Sequence, residues 1–176
     1  LYNGVEEYVN STTGLKYVVG HSVREYFMNR YAGVNPANGD ALWYTADGEL
    51  TTEFREEDKV MTGKSFDSPW VGGFGTSLMW KGLSLSAQFS WMAKRYVMNN
   101  DRFFEESNGL YSAYNQSKRL LYDRWKKPGD ITDIPRYGVT AQLDDRFLEN
   151  SSFLRLKNLT LAYAFPQSLL KKTNFF

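Results

Sequence analysis

Two runs between residues 72 and 91 alternate between apolar and polar side chains on either side of a short turn. This period of two predicts a pair of β-strands, and Lys81-Gly82 predicts the two-residue turn that joins them. In the resulting register, one face of the hairpin is apolar and the other is small and polar. The apolar face pairs Trp80 with Leu83, Leu78 with Leu85, Thr76 with Ala87, Phe74 with Phe89 and Gly72 with Trp91; the polar face pairs Met79 with Ser84, Ser77 with Ser86, Gly75 with Gln88 and Gly73 with Ser90.

Trp80 and Trp91 stand near opposite ends of the apolar face. A soluble sandwich also alternates, but its inner face is usually aliphatic, whereas transmembrane barrel strands place aromatic girdles at both ends of a lipid-facing band. The nine residues from Leu83 to Trp91 would rise about 21 Å at roughly 3.3 Å per residue and about 45° of tilt, close to the ~25 Å height of that band. The pattern therefore predicts an all-β protein built as an antiparallel transmembrane β-barrel.

A second segment, residues 154–165, shows the same alternation before Pro166 ends it. Leu154 and Leu156 have the opposite phase to the apolar residues that follow. Either a β-bulge lies near Lys157-Asn158, or the outer end of the strand rises above the membrane and follows another rule. The residues expected to face lipid in the two segments are Trp80, Leu83, Leu85, Phe89, Trp91, Leu159, Leu161, Tyr163 and Phe165.

Shorter strand signals occupy the first part of the chain. Residues 15–19 and 26–28 are β-prone, and Asp47-Gly48 between two further β-prone runs predicts a hairpin. Residues 53–59 are highly charged and are expected to be solvated.

Residues 99–150 form one long polar excursion. The spacing of apolar residues within 112–127 predicts a short helix, which the turn residues at 127–130 would end. Outer-membrane barrels have long external loops and short periplasmic turns. This excursion is therefore expected outside the cell, and the Lys81-Gly82 turn in the periplasm.

Composition narrows the class of protein without naming a function. The chain has 176 residues, of which 42% are hydrophobic and 16% aromatic, and its mean hydropathy is −0.51. No apolar run is long enough for a transmembrane helix. The net charge of +1 and the lack of a basic stripe argue against a nucleic-acid partner. The sequence has no cysteine, which excludes disulfides, thiolate metal sites and cysteine nucleophiles.

Candidate chemistry is sparse. His21 is the single histidine and stands beside Ser22, but a Ser-His nucleophile there is weakly supported. Adjacent carboxylates at 56–58, 105–106 and 144–145 resemble solvated loop charge more than spaced calcium ligands. We therefore predict no catalytic residue, no cofactor and no metal site.

A denser polar and aromatic set lies between residues 124 and 137. Trp and Tyr rings can stack on sugars, while Arg and Asp side chains hydrogen-bond polar ligands. The alternative is that these side chains only hold the shape of the loop, and the residues themselves favour that alternative. The candidate ligand or partner contacts are Arg124, Trp125, Asp130, Asp133, Arg136 and Tyr137.

Residues 151–166 read Ser-Ser-Phe-Leu-Arg-Leu-Lys-Asn-Leu-Thr-Leu-Ala-Tyr-Ala-Phe-Pro. This stretch resembles the signature strand near the C-terminus of the SusC/RagA family of TonB-dependent outer-membrane transporters. Three other stretches resemble the same family in the same order, namely residues 32–36 with 39–44, residues 72–76, and residues 124–125 with 127–136.

The resemblance implies a fragment of a 22-stranded barrel with long extracellular loops, in the outer membrane of a Gram-negative, Bacteroidetes-type cell. It implies import of oligosaccharides or peptides together with a SusD-like surface lipoprotein, powered through TonB. On this view residues 1–176 belong to the C-terminal part of the barrel domain, and the plug domain, the TonB box and the final strands lie outside the chain. No residue here is expected to couple to TonB directly.

Two other functions remain open from the residues alone. A soluble all-β carbohydrate-binding module would use the aromatic stripe as its core and the tryptophans as a platform. A β-rich glycosidase with a carboxylate pair is a weaker alternative.

Overall fold

The computed structural model describes residues 4–10 and 15–167, which divide into two compact units. The first contains residues up to 67 and residues 95–150, and the second contains residues 68–94 and those from 151 onward. No helix in the described ranges is long and apolar enough to cross a membrane. In chain order the elements are β1 (Glu7–Asn10), β2 (Leu15–Val18), β3 (Glu25–Met28), β4 (Arg30–Val34), β5 (Ala41–Tyr44), β6 (Leu50–Thr51), β7 (Val60–Ser65), β8 (Trp70–Trp80), β9 (Leu83–Ala93), β10 (Tyr96–Met98), α1 (Asn100–Glu105), α2 (Arg119–Tyr122), β11 (Leu148–Asn150) and β12 (Phe153–Tyr163).

The second unit is an antiparallel sheet in the order β12-β9-β8. The predicted hairpin register is confirmed at every pair, from Trp80 opposite Leu83 to Gly72 opposite Trp91. Lys81 and Gly82 both have positive φ, 46° and 85°. Because two left-handed residues match the twist of paired strands, this turn suits a tight hairpin.

A β-bulge in β12 resolves the phase conflict seen in the sequence. The register shifts between Leu156 and Asn158, which confirms the bulge expected near Lys157-Asn158. The shift places Leu154 opposite Trp91 and Leu156 opposite Phe89, while Leu159, Leu161 and Tyr163 lie opposite Ala87, Leu85 and Leu83. One apolar face therefore extends across all three strands.

Phe165 lies outside the sheet, because β12 ends at Tyr163 and not at Pro166. The Phe165 ring packs edge-on against Tyr163 at 5.1 Å between centroids. The chain beyond the strand still follows the turn, since the Ala164 amide donates to the Gly82 carbonyl at 2.8 Å. The expected lipid-facing set therefore includes one residue from the segment after the strand.

The first unit contains small antiparallel sheets, which pair β1 with β2, β3 with β7, β4 with β5 and β6, and β10 with β11. The strand signals at 15–19 and 26–28 correspond to β2 and β3, and the hairpin around Asp47-Gly48 is formed by β5 and β6. Its loop closes with the Thr45 amide donating to the Glu49 carbonyl at 2.8 Å.

Two predictions in the first unit are wrong in part. The helix predicted within 112–127 is the single turn α2, and α1 was not predicted; the Asn99 side chain caps α1 by accepting from the Arg102 amide at 2.9 Å. The charged segment 53–59 is not wholly solvated, because Asp58 is buried and accepts from the Ala46 amide at 3.0 Å. A buried carboxylate with a backbone partner is invisible to a charge count.

Candidate functional site

A buried polar cluster, here called the Asp144 cluster, lies in the core of the first unit and comprises Tyr31, Trp43, Asp144 and Arg146. Asp144 is fully buried, and its Oδ2 accepts from Trp43 Nε1 at 2.9 Å. Its Oδ1 forms an ion pair with Arg146 Nε at 3.1 Å. The Arg146 guanidinium in turn lies over the Tyr31 ring at 4.1 Å. The cluster therefore joins residues from both sequence segments of the unit.

Burial raises the pKa of the Asp144 carboxyl to about 6, although Arg146 and the Trp43 N–H favour its charged form. Burial also raises the pKa of the Tyr31 hydroxyl. Desolvation penalises the charged state of each group, and here it exceeds the attraction of the neighbouring guanidinium.

The next residue, Asp145, ties the same two segments together from another side. Its Oδ1 accepts from the Tyr31 amide at 2.8 Å, and its Oδ2 accepts from Lys64 Nζ at 2.9 Å. The Asp145 amide donates to the carbonyl of the buried Asn29 at 3.1 Å. The adjacent carboxylates at 144–145 thus have structural partners, and the expectation of solvated charge is wrong for Asp144.

A second network organises the long excursion around Glu106, which is buried. Arg119 Nη1 donates to both Glu106 carboxylate oxygens at 2.7 and 2.9 Å, and Arg119 Nη2 donates to both Asp133 oxygens at 2.7 Å. Arg102 Nε also donates to Glu106 at 3.0 Å. Bidentate pairs of this kind are geometrically specific, so they fix α1 and α2 against residues near 133.

Trp125 is held against the turn at residues 35–40. Its indole Nε1 donates to the Pro36 carbonyl at 3.1 Å, and its amide donates to the Ile134 carbonyl at 3.0 Å. Gly39 has a φ of +78°, and the Trp125 ring lies so close that a Cβ at position 39 would overlap it. The position therefore requires glycine on two grounds.

Three more of the six sequence-predicted contacts also maintain the loop. Asp130 accepts from the Lys126 and Lys127 amides, each at 3.0 Å, and these bonds, that to Lys126 foremost, lower its pKa. Asp133 pairs with Arg119, and Arg136 Nε donates to Asp40 Oδ1 at 2.9 Å. The geometry of these residues supports the shape-holding alternative.

Arg124 and Tyr137 line an open cavity of about 440 Å³, here called the Arg124 cavity, and Arg124 also lines a second cavity of about 630 Å³ with Asp130 and Asp133. The Arg124 guanidinium lies 5.2 Å from the centre of the Tyr137 ring, and Tyr137 is 73% exposed. The rest of the lining mixes polar and apolar side chains: Asn108, Gly109, Ser112, Gln116, Ser117, Lys118, Leu120 and Leu121. Cavities of several hundred cubic ångströms are large enough for part of a small ligand.

The weaker chemical candidates have other partners. His21 Nδ1 lies 2.9 Å from Glu25 Oε2, while Ser22 Oγ donates to Asp67 Oδ2 at 3.1 Å. Ser22 is thus bonded to a carboxylate and not positioned as a nucleophile toward His21. Within residues 4–10 and 15–167, no group of three or more His, Asp or Glu side chains is placed to hold a metal ion.

The expected lipid-facing side chains lie on the apolar face of the second unit, except Phe165. Leu161 is 68% exposed and Trp80 is 69% exposed. Trp91 packs over Gly72 of the neighbouring strand, where a Cβ would approach the indole to 2.9 Å. The face is apolar, and its contact with lipid stays a prediction.

Sequence reasoning missed the residues that hold the first unit together. Asn29, Glu106, Asn108 and Asp144 are buried but resemble ordinary loop polar residues in the sequence. The one local signal was the Asn108-Gly109 dipeptide, since Asn108 takes a positive φ of 52°. Such a dipeptide indicates a turn but not a buried one.

No family model matches the chain. TonB-dependent receptor P39 of Formosa agariphila is 22% identical over 183 residues, covering 99% of this chain and 17% of the relative. TonB-dependent receptor P3 of the same organism is 27% identical over 128 residues, covering 72% of this chain and 12% of the relative. The chain thus spans about a sixth or less of the length of these curated relatives.

Solved structures are similar over nearly the whole chain. The RagAB peptide transporter has 37% identity and a TM-score of 0.83 over 96% of this chain and 19% of its own. The RagAB peptide importer in the open-open state has 36% identity and a TM-score of 0.83, covering 99% of this chain and 19% of its own. In the closed-closed state the values are 37% and 0.82, covering 99% and 20%.

The relatives and similar structures are named as TonB-dependent receptors and as a peptide transporter. The chain therefore belongs to the SusC/RagA-like family of TonB-dependent receptors.

Proposed function

We propose that this chain forms part of the barrel wall and outer loops of a transporter that imports peptides across the outer membrane. The observation that supports this most strongly is the apolar face that spans β8, β9 and β12, together with 37% identity to a peptide transporter. In the whole protein, a SusD-like lipoprotein would cover the outer side, and TonB would supply the energy.

The apolar face supports a lipid environment for the second unit. Leu78, Leu159 and Leu161 are each at least 60% exposed, and they lie in neighbouring rows of the sheet. A soluble protein rarely leaves so continuous an apolar surface in water. Aromatic residues at both ends, Trp80 and Trp91, fit the girdles of a barrel wall.

The two edges of the sheet support a larger barrel. Within the described residues, β8 pairs only with β9 and β12 only with β9. Unpaired edges bind other strands readily, and closure into a barrel removes them. We therefore propose that the strands before β8 and after β12 in the full protein complete a barrel of 22 strands, of which residues 1–176 are a C-terminal part.

The lengths of the connections between strands support an orientation of the second unit's strands across the outer membrane. β8 and β9 are joined by the Lys81-Gly82 turn, whereas β9 and β12 are separated by about sixty residues that fold mainly into the first unit. Long connections of such barrels face outward and short ones face the periplasm. On this proposal the Arg124 cavity is accessible to cargo or to a surface lipoprotein.

The names of the similar proteins support peptide as cargo, since each is a RagAB peptide transporter or importer. The curated relatives are named as receptors without a cargo. Names of transporters and receptors favour import over the soluble binding module or the glycosidase considered from the sequence.

The test uses the full-length protein in its own outer membrane. We expect it in the outer-membrane detergent fraction, heat-modifiable on a gel and co-purifying with a lipoprotein. Deletion of its gene should abolish uptake of a fluorescent peptide mixture and leave uptake of amino acids unchanged. If oligosaccharide uptake were lost and peptide uptake kept, the cargo would be oligosaccharide. A water-soluble protein would overturn the transporter proposal and favour the soluble carbohydrate-binding module.

A further inference from the structure

The lining of the Arg124 cavity has an uneven charge. It contains two cations, Lys118 and Arg124, and no carboxylate. A neighbouring cavity of about 340 Å³ has the opposite character, with Asp101 and Glu105 beside Phe104 and no cation. Since the whole chain is nearly neutral, this separation within one loop excursion favours an anionic ligand in the Arg124 cavity.

Lys118 and Arg124 have no paired carboxylate in the described part of the chain, although Arg124 also lines a second cavity of about 630 Å³ that contains Asp123, Asp130 and Asp133. Arg119, between them in sequence, differs because Glu106 and Asp133 occupy its guanidinium. A cation without a partner at a cavity wall can bind an anion with no prior ion pair to break.

Asn108 positions the Arg124 guanidinium. The Asn108 side chain is buried, and its Nδ2 donates to the carbonyls of Arg136 and Val139 at 2.8 and 2.7 Å. These bonds direct its Oδ1 to Arg124 Nη1 at 3.3 Å. One guanidinium N–H is thereby used for orientation, and the others remain for a ligand.

The backbone on both sides of Arg124 is also fixed. Arg124 forms a parallel bridge with the buried Ile134, and the next residue, Trp125, packs against Gly39. Tyr137 supports the guanidinium from the ring face at 5.2 Å. A preorganised guanidinium loses little freedom when it binds, which is the arrangement expected of a recognition group.

We propose that the Arg124 cavity binds a carboxylate of the peptide cargo, an inference that rests on the proposed import of peptides. Arg124 donates hydrogen bonds to the carboxylate, Lys118 adds a second positive charge, and the exposed Tyr137 ring packs on the adjoining part of the peptide. The acidic cavity at Asp101 and Glu105 takes no part in this contact.

The experiment measures peptide affinity of the full-length transporter, purified in detergent with its lipoprotein, by calorimetry. The probes are two pentapeptides with amidated C-termini, Ala-Glu-Ala-Glu-Ala and Ala-Gln-Ala-Gln-Ala. We expect wild type to bind the glutamate peptide about tenfold more tightly, and both R124Q and K118Q to lose most of this preference. Affinity for the glutamine peptide should stay within about twofold.

Matched controls separate local recognition from general charge and from misfolding. Lys127→Gln removes the same charge from the same loop outside the cavity, and we expect it to retain the preference. Lys118 is exposed, so K118Q tests the proposal even if R124Q distorts the loop.

Three results would overturn the proposal. Equal binding of both pentapeptides by wild type would refute the carboxylate site without contradicting peptide import. Binding of neither, with import of oligosaccharides by the cell, would remove the peptide cargo on which the site rests. Arg124-dependent binding of a galacturonate tetramer in place of the peptides would assign the carboxylate to a sugar.

Discussion

The two compact units of this chain are stabilised in different ways. In the second unit, alternation and register place side chains on one face or the other, and both faces remain largely exposed; Leu161 and Met79 are 68% and 85% exposed on opposite faces. In the first unit, specific polar side chains are buried and paired, as at Asp144 and Glu106.

This difference indicates what stabilises each unit: an apolar surface outside the chain for the second, and buried polar contacts within the chain for the first. On the proposal above, the wall obtains its apolar environment from lipid, so a simple period of two is enough to specify it. The loop unit must fold without a large apolar core, and it depends on buried hydrogen bonds and ion pairs whose loss is costly. Substitutions should therefore act separately on the two units.

The largest expected effect is at the centre of the Asp144 cluster. Asp144→Ala leaves Arg146 and the Trp43 N–H without their buried acceptor, which should lower the opening free energy of the first unit by about 3–5 kcal/mol. Hydrogen exchange on the full-length transporter measures that opening, amide by amide. Glu57→Ala, on an exposed residue, is the control and should change it by less than about 0.5 kcal/mol. An equal fall in β8 and β9 would show that the units are not independent.

A charge on the apolar face should break the second unit instead. Leu159→Arg, opposite Ala87 at the middle of the face, should destabilise the folded barrel by about 2–4 kcal/mol. The measurement is the urea dependence of the heat-modifiable band of the full-length protein in lipid vesicles. Thr160→Arg lies on the other face of the same strand and should be much milder. Similar damage from both changes would contradict lipid contact at position 159.

The pH dependence of the first unit should report Asp144. Because the folded state raises this pKa from 3.8 to about 6, it holds the proton more tightly than the unfolded state. The contribution of this group to the free energy of unfolding is greatest below pH 4. It falls by at most about 3 kcal/mol as the pH rises to about 6, and it is constant above that pH. Hydrogen exchange of wild type and Asp144→Asn across this range checks it. A difference between the two proteins that stays constant with pH would refute the assignment.

The smallest expected loss of stability is at the hairpin turn, where it tests the need for glycine at position 82. Gly82→Ala places a side chain at a φ of +85°, where its Cβ would also lie 2.9 Å from the Ala164 carbonyl oxygen. We expect a loss of about 1–2 kcal/mol, measured by the same urea titration. Lys81→Asn, at a φ of 46°, should be neutral, because Asn tolerates the left-handed region. A neutral Gly82→Ala would mean that the turn can relax.

Much of the wall was predictable and little of the loop site was. The hairpin register and the bulge near Lys157-Asn158 follow from a strict local period, which one residue of slip would invert. The six candidates at 124–137 were found as a group, but their separate roles were not. The position of the Trp125 ring depends on Gly39, and the orientation of the Arg124 guanidinium depends on Asn108. The distances in sequence between these partners follow no repeating period.

The sequence by itself determined the strand pairing of the second unit, its apolar face and, through four ordered motifs, the transporter family. These properties depend on neighbouring residues or on fixed local spacing. The tertiary structure alone decided which loop side chains are buried, which partners the six candidates bond and which of them line cavities. Those outcomes depend on contacts between residues more than a hundred positions apart, such as Trp43 with Asp144 and Tyr31 with Asp145, and such contacts leave no periodic trace in the chain.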